Sequence, residues 1–141
     1  MKKEIGFLGL GSMGINMVYK LLDEGYTVYA WNRSKAPRLD AKKAGALVFE
    51  SISEMTNAMK SGERVFWSMV SAGPAVDEIL SELKKYVRKG DIVVEGANSF
   101  YKDSVRRHND FKKLGIYYFD TGVSGGLEGA RNGACIMVGG D

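Results

Sequence analysis

The sequence has 141 residues, of which 45% are hydrophobic, 26% are charged and 18 are glycine. That length is typical of one compact domain, and the composition excludes a disordered chain. No apolar run approaches the ~20 residues that span a bilayer, and the N-terminus lacks the apolar stretch of a secretory signal. The net charge of +3 is too small an excess to predict a nucleic-acid-binding surface.

The single cysteine, Cys135, excludes an internal disulfide. This is typical of proteins in a reducing compartment, so we expect a cytoplasmic location. Within an apolar run, Cys135 is predicted to be a buried small hydrophobic residue rather than a nucleophile. No cluster of His, Cys, Asp or Glu has the spacing of metal ligands, so no metal site is predicted.

Short apolar runs alternate with amphipathic segments along most of the chain. The runs predict seven strands, at residues 5–8, 26–31, 46–49, 65–70, 92–95, 116–120 and 135–138. Most of these runs are continuously apolar, which is typical of strands buried on both faces of a parallel sheet.

Apolar residues recur at helical spacing between these strands. Three stripes predict helices: Met13, Met17, Val18, Leu21 and Leu22; Val76, Ile79, Leu80, Leu83 and Tyr86; and Val105, His108, Phe111 and Leu114. Gly25, Gly45, Gly90 and Gly115 predict helix ends. On this interpretation His108 packs rather than acts as an acid or base, and the Lys84-Lys85 and Arg106-Arg107 pairs lie on solvated faces.

The alternation of strands and helices implies right-handed crossovers and an α/β fold with a doubly wound, mostly parallel sheet, the Rossmann type. One domain accounts for residues 1–141. The last predicted strand runs into Gly139-Gly140-Asp141 with no closing helix. We therefore expect this domain to belong to a longer protein.

A G-x-G-x-x-G pattern occupies residues 9–14, between the first predicted strand and the first predicted helix. This context is that of a dinucleotide-binding loop. Gly9 permits the tight turn, Gly11 lets the backbone approach a pyrophosphate, and Gly14 allows close packing of helix and strand. The positive end of the helix dipole then faces the phosphates.

The second predicted strand ends at Trp31 and is followed by Asn32, Arg33 and Ser34. An NAD site usually has an acidic residue near this position, which binds the ribose hydroxyls. A neutral Asn followed by Arg instead favours the 2′-phosphate of NADP. NADP is therefore preferred over NAD, although Arg33 as a merely solvated residue stays an alternative.

Two later segments each follow a predicted strand, so they reach the ligand edge of an open α/β sheet. Asn98 lies in the first, and Ser124, Gly125 and Gly126 lie in the second. An amide, a hydroxyl and unobstructed backbone N–H groups suit a polyhydroxy acid or its carboxylate. The nearby Glu128 and Arg131 either pair with each other or lie near a substrate phosphate.

These residues together resemble the N-terminal domain of decarboxylating 6-phosphogluconate dehydrogenase, in the β-hydroxyacid dehydrogenase superfamily. The resemblance runs from Ile5 to Gly140. It rests on GLGSMG (9–14), WNRS (31–34), MVSAG (69–73), GDIVVEGANSFYKDSVRR (90–107) and GVSGGLEGARNG (122–133).

The resemblance implies oxidative decarboxylation of 6-phosphogluconate to ribulose 5-phosphate in the pentose phosphate pathway. It implies cofactor contacts at Gly9, Leu10, Gly11, Ser12, Met13, Gly14, Asn32, Arg33, Ser34, Val70, Ser71, Ala72 and Asn98, and substrate contacts at Asn98, Ser124, Gly125 and Gly126. Two departures from the family pattern are Ser71, where Lys is frequent, and Ala97, where the second Gly of D-G-G-N is usual.

The family's general base, a lysine, and general acid, a glutamate, lie on a following helical domain that also mediates dimerisation. That domain is absent from this sequence, so no catalytic residue is predicted here and the chain alone is expected to have negligible turnover. The intact protein is expected to be a homo-oligomer without nucleic-acid or membrane partners. Alternatives are another β-hydroxyacid dehydrogenase, such as 3-hydroxyisobutyrate dehydrogenase, and a non-catalytic NADP(H)-sensing module.

Overall fold

Seven strands and six helices alternate along residues 3–140, the part of the chain that the computed structural model describes. The strands are β1 (Glu4–Leu8), β2 (Thr27–Trp31), β3 (Leu47–Phe49), β4 (Val65–Ser68), β5 (Ile92–Glu95), β6 (Tyr117–Ser124) and β7 (Cys135–Gly139). The helices are α1 (Ser12–Asp23), α2 (Lys35–Ala44), α3 (Ile52–Ala58), α4 (Pro74–Leu83), α5 (Tyr101–Lys112) and α6 (Gly126–Asn132).

The strands form one sheet in the order β3-β2-β1-β4-β5-β6-β7, parallel except for β7, which runs antiparallel to β6. The direction of winding reverses between β1 and β4, which is where ligands bind in open α/β sheets. The register pairs Leu8 with both Trp31 and Ser68, and pairs Glu95 with both Ser68 and Asp120. The loops that follow β1, β2, β4 and β5 therefore begin at one level of the sheet.

Two hydrophobic clusters cover the two faces of the sheet, because successive side chains of a strand point to opposite sides. Phe7 of β1 packs with Met17 and Val18 of α1, whereas its neighbour Leu8 packs in the other cluster, beside Phe66 and the helices α3 to α5. Phe7, Leu8, Val18 and Phe66 are fully buried. Both faces of the central strands are thus apolar, which confirms the doubly wound α/β fold expected from the sequence.

All seven predicted strands are confirmed with shifts of a few residues. The largest change is in β6, which extends to Ser124 because its second half pairs with β7. The short helices α3 and α6 were not predicted, since seven residues give too few turns for a clear apolar stripe. The second predicted helix ends at Leu83, so neither Tyr86 nor the stop at Gly90 belongs to it.

The predicted apolar stripe of the third helix is only partly correct: Phe111 is buried, but Val105 and Leu114 are exposed. Val105 is 57% exposed, whereas the buried face of α5 consists of Ser104, Arg107 and Phe111. The expectation that Arg107 lies on a solvated face is also wrong, because it belongs to this buried row. The prediction for Cys135 is wrong as well: its thiol is exposed, since every residue of the edge strand β7 is exposed.

A buried ion pair joins the amino ends of β4 and β5. Arg64 and Asp91 are 5% and 0% exposed, and their closest N···O distance is 2.5 Å. Arg64 also donates to the carbonyl oxygens of Thr56, at 2.9 Å, and Tyr86, at 3.0 Å. One guanidinium therefore links the end of α3, two strands and the turn after α4.

Replacement Asp91→Ala should lower the free energy of unfolding by about 3–5 kcal/mol, because it leaves the Arg64 charge buried without its partner. Chemical denaturation of the wild-type chain and the variant measures this change. The matched control is Asp40→Ala, which removes an exposed pair with Lys43 and should cost less than about 1 kcal/mol. Equal losses in the two variants would contradict this role for the buried pair.

Candidate functional site

The glycine-rich loop connects β1 to α1 at the carboxyl edge of the sheet. Gly9 has φ +99°, and a Cβ there would lie 2.4 Å from the carbonyl oxygen of Met69. A Cβ on Gly14 would lie 2.1 Å from the carbonyl oxygen of Gly9. A Cβ on Gly11, in contrast, would meet nothing within 4 Å. Gly9 and Gly14 are therefore needed for packing, whereas Gly11 leaves open backbone where a ligand can approach.

Helix α1 begins at this open backbone. Its N-cap is Gly11, which has no side chain that could accept hydrogen bonds from the first backbone N–H groups of the helix. The first turn also has no acidic residue. The first four N–H groups of a helix have no partner within the helix. Together with the positive end of the helix dipole, they form a site that fits the pyrophosphate of a dinucleotide.

Asn32, directly after β2, holds the glycine-rich loop in place. Its side-chain oxygen accepts from the Leu10 N–H at 2.9 Å, and its amide nitrogen donates to the Ser34 carbonyl at 3.2 Å. The Gly9 N–H also donates to the Trp31 carbonyl, at 2.9 Å. The side chain of Asn32 thus positions the loop that would bind the phosphates, a function that the sequence pattern did not predict.

Arg33 follows at the same edge and extends into solvent, with 72% of its side chain exposed. Its guanidinium lies 2.7 Å from the Glu78 carboxylate on α4. Of the other basic residues nearby, Arg38 donates to the Phe49 carbonyl and Lys43 lies near Asp40. Arg33 is therefore an exposed cation directly after β2, within reach of a ligand group beyond the end of that strand.

The segment after β4, residues 69–72, lies against the glycine-rich loop. The Met69 N–H donates to the Leu8 carbonyl at 2.7 Å, and a Cβ on Gly9 would lie 2.8 Å from Val70 Cγ1. Ser71 and Ala72 are exposed beside it. The structure thus brings residues 70–72 next to residues 9–14, as a shared cofactor site requires.

Asn98 links the loop after β5 to the end of β6. Its backbone is left-handed, with φ +56°. Its side-chain oxygen accepts a hydrogen bond of 3.1 Å from the N–H of Val123, the residue that precedes Ser124. Ser124, Gly125 and Gly126 are exposed there, and the two glycines have positive φ. The four residues predicted to bind substrate are therefore brought together at the same edge of the sheet as the glycine-rich loop.

Comparison with known proteins identifies the family. Residues 4–141 match the NAD binding domain of 6-phosphogluconate dehydrogenase. The chain belongs to this family. The decarboxylating 6-phosphogluconate dehydrogenase of Candida albicans is 41% identical over 143 residues, which cover 98% of this chain and 28% of that enzyme. The resemblance found in the sequence is thus confirmed.

Two solved structures have the same fold. The 6-phosphogluconate dehydrogenase of Plasmodium falciparum, described in its apo form and with NADP+ and 6-phosphogluconate, has a TM-score of 0.88 at 35% identity and matches 98% of this chain. The 3-hydroxyisobutyrate dehydrogenase of Mycobacterium tuberculosis has a TM-score of 0.91 at 27% identity and matches 100% of it. This chain covers 31% and 47% of those proteins, less than half of their length.

Other polar residues considered in the sequence do not join this site. His108 is half-buried on α5, where a ring nitrogen lies 3.4 Å from the Tyr118 carbonyl oxygen. Arg131 pairs with Asp23 of α1 at 2.6 Å, a partner that the sequence interpretation did not name. Across residues 3–140, no group of three or more His, Cys, Asp and Glu residues could hold a metal ion. Within the same range, no helix is long and apolar enough to cross a membrane.

The domain also has a wide, mainly apolar groove of about 880 Å³ on one face of the sheet. Val65, Trp67, Val94 and Ile136 are among the side chains that line it. No residue predicted to contact cofactor or substrate lines this groove. The candidate site at the sheet edge and this groove are therefore separate features of the domain.

Arg107 and Glu95 were missed by the sequence interpretation. The Arg107 side chain is 3% exposed and donates to Asp77 and to Ser99, at 3.0 Å each. The hydrogen bond from Arg107, assisted by one from Arg106, holds the pKa of Asp77 below its ordinary value. The signal available in the sequence was the helical spacing of Arg107 with Ser104 and Phe111, which places all three on one face.

Replacement Gly11→Ala should leave the fold intact and weaken binding of NAD+ or NADP+ at least tenfold, because the added methyl enters the space open to the pyrophosphate. We expect a stability loss below about 1 kcal/mol, the usual difference between Gly and Ala at an N-cap. Calorimetric titration and chemical denaturation measure the two quantities.

The matched control is Gly14→Ala, which forces a clash with the Gly9 carbonyl and should destabilise the domain in the absence of any ligand. Unchanged cofactor affinity in a folded Gly11→Ala chain would exclude the open backbone as the pyrophosphate site.

Proposed function

We propose that this chain is the cofactor-binding and part of the substrate-binding portion of an NADP-dependent 6-phosphogluconate dehydrogenase. The observation that carries the proposal is the position of Asn98 and Ser124 at the same edge of the sheet as the glycine-rich loop. This arrangement gives a dinucleotide and a sugar acid adjacent sites, and the C. albicans and P. falciparum relatives are 6-phosphogluconate dehydrogenases.

The cofactor residues fall into three groups along the sheet edge. The backbone at Gly9 to Gly14 binds the pyrophosphate. Residues 70–72, which follow β4, form the neighbouring wall of the same site. Arg33 supplies the positive charge for a 2′-phosphate, and Asn32 adds no carboxylate that would repel it. NADP+ is the cofactor named for the P. falciparum enzyme, which supports the same preference here.

The substrate residues supply orientation rather than proton transfer. The Asn98 amide, the Ser124 hydroxyl and the N–H groups at Gly125 and Gly126 bind hydroxyl and carboxylate groups of 6-phosphogluconate. When bound, NADP+ would supply the hydride acceptor for oxidation of the sugar acid at C3, the oxidation that accompanies loss of CO2. A lysine and a glutamate from a following helical domain would move the protons, so this chain alone should have negligible turnover.

A second candidate is a 3-hydroxyisobutyrate dehydrogenase, favoured by the TM-score of 0.91 to the M. tuberculosis enzyme. A third is a non-catalytic NADP(H)-sensing module. The first two differ in substrate size and charge, since 6-phosphogluconate has a longer hydroxylated chain and a phosphate. A sensing module would bind the cofactor and neither acid.

The chain should bind NADP+ at least tenfold more tightly than NAD+ at fixed salt, a difference of about 1.4 kcal/mol. Replacement Arg33→Met should remove most of this difference by weakening NADP+ binding alone, because NAD+ has no 2′-phosphate. Calorimetric titration measures both affinities. Lys43→Met serves as the charge-matched control at an exposed site on α2. Tighter binding of NAD+ by the wild-type chain would refute the NADP assignment.

With NADPH bound, the chain should bind 6-phosphogluconate in preference to 3-hydroxyisobutyrate, because several hydroxyl groups can reach Asn98 and the Ser124 turn. Saturation-transfer NMR on each ligand, with the other as competitor, measures this order. Asn98→Ala and Ser124→Ala should each reduce the 6-phosphogluconate signal. Stronger binding of 3-hydroxyisobutyrate would favour the second candidate, and binding of neither acid would favour the sensing module.

A further inference from the structure

We propose that Arg107 is a positioning residue for Asn98, so that it controls binding of the nicotinamide end of the dinucleotide without touching it. The inference rests on the proposed function and on the cofactor contact that the family resemblance implies for Asn98. Asn98 follows β5, on the opposite side of β1 from Arg33, so it lies toward the nicotinamide end of a dinucleotide whose 2′-phosphate meets Arg33. The inference adds a buried charge network that determines the shape of the loop on which Asn98 lies.

The loop that carries Asn98 has an unfavourable backbone. It leaves β5 at Glu95 and enters α5 at Tyr101. Within residues 3–140, Asn98 alone among the non-glycine residues has a positive φ, +56°. Left-handed backbone is uncommon at a residue with a Cβ, and although asparagine adopts it more readily than most residues, neighbouring contacts help to hold it. The contacts of the residues on either side of Asn98 therefore bear on the shape of this loop.

Arg107 contacts the loop on both sides of Asn98. Its Nη1 donates to Ser99 Oγ at 3.0 Å and lies 3.6 Å from Glu95 Oε2. Its Nε donates to Asp77 on α4 at 3.0 Å, which fixes the guanidinium from a third direction. With 3% of its side chain exposed, Arg107 has little freedom to adopt another position.

Glu95 transmits this restraint to the backbone before Asn98. Its carboxylate is fully buried, and its Oε1 accepts from the Ala97 N–H at 2.5 Å. Its Oε2 has no hydrogen bond, so Arg107 is the charge that compensates it. A buried carboxylate without a compensating charge is costly, so loss of Arg107 would favour rearrangement of the loop.

The position of this network argues for a role beyond folding. A buried ion pair is by itself weak evidence for stability, since apolar packing often serves as well. This one surrounds a residue whose side chain bonds to Val123, next to the Ser124 turn. The nearby Arg106 contacts Asp77 at 3.0 Å but is half exposed and does not bridge the loop. Both arginines contact Asp77 of α4, and Arg107 also contacts the loop that carries Asn98. Comparing variants of the two therefore separates the effect of loop positioning from the effect of contact with α4.

The test compares Arg107→Met with Arg106→Met in titrations of NADP+ and of adenosine 2′,5′-bisphosphate, which lacks the nicotinamide half. Each variant removes one positive charge from adjacent positions, so long-range attraction to the phosphates changes equally. Arg107→Met should weaken NADP+ binding at least tenfold and change affinity for the bisphosphate less than twofold. Arg106→Met should change neither affinity more than twofold.

Two milder variants test the same role if Arg107→Met does not fold. Arg107→Lys keeps the positive charge but loses the planar set of N–H donors of the guanidinium. Its affinity for NADP+ should lie between those of the wild type and Arg107→Met, and its affinity for the bisphosphate should be unchanged. Ser99→Ala removes one contact of Arg107 near the surface and should weaken NADP+ binding two- to threefold with no effect on the bisphosphate. Hydrogen exchange should accelerate at residues 97–99 in these variants while the central strands keep their protection.

Equal weakening of both ligands by Arg107→Met, or no weakening of either by Arg107→Met and Ser99→Ala, would overturn the positioning role. Those results leave the proposed function in place, because the wild-type chain still binds NADP+. A folded wild-type chain that binds NADP+ no better than the bisphosphate would overturn both, since the loop would then make no contact with the nicotinamide end.

Discussion

The close contact between the backbone at Gly9 and at Gly14 is the constraint on which the candidate site depends. It lets α1 start directly above the end of β1, so the first amides of the helix face open space rather than a loop. The Gly9 turn also packs against the Met69 carbonyl, which sets the distance between the β1 and β4 loops. A side chain at either glycine would separate these elements and remove the concave surface that a pyrophosphate needs.

Two buried carboxylates at opposite ends of β5 have different consequences. Asp91, just before the strand, pairs with Arg64 where α3, β4 and β5 meet, away from the loops that would bind ligands. Glu95, the last residue of the strand, lies beside Arg107 under the Asn98 loop. The first pair is assigned to stability, because it lies at the opposite edge of the sheet from the candidate cofactor site. The second pair, between Glu95 and Arg107, links the buried interior to the position of the exposed Asn98 side chain.

The sequence could predict the order of elements and the site loops, because both depend on local patterns. Continuous apolar runs mark the central strands, and the glycine spacing marks the α1 entrance. It could not predict the buried face of α5, since the three-residue spacing of Val105, His108 and Phe111 competes with the helical spacing of three and four residues that joins Ser104, Arg107 and Phe111. Burial of Arg107 depends on Asp77 and Glu95, which only the tertiary fold brings near. The exposure of Cys135 likewise follows from the edge position of β7, which an apolar run does not reveal.

The N-terminal half of α4 connects the two ends of the candidate cofactor site. Adjacent residues there, Asp77 and Glu78, contact Arg107 on one side and Arg33 on the other. The Arg33 contact is exposed, so salt screens it and a ligand phosphate can replace Glu78 at little cost. The Arg107 contact reaches a side chain that solvent hardly touches, so it stays in place when a ligand binds. In the proposed binding mode, α4 thus contributes an exchangeable interaction with Arg33 at the adenosine end of the cofactor and a fixed one with Arg107 beneath the Asn98 loop.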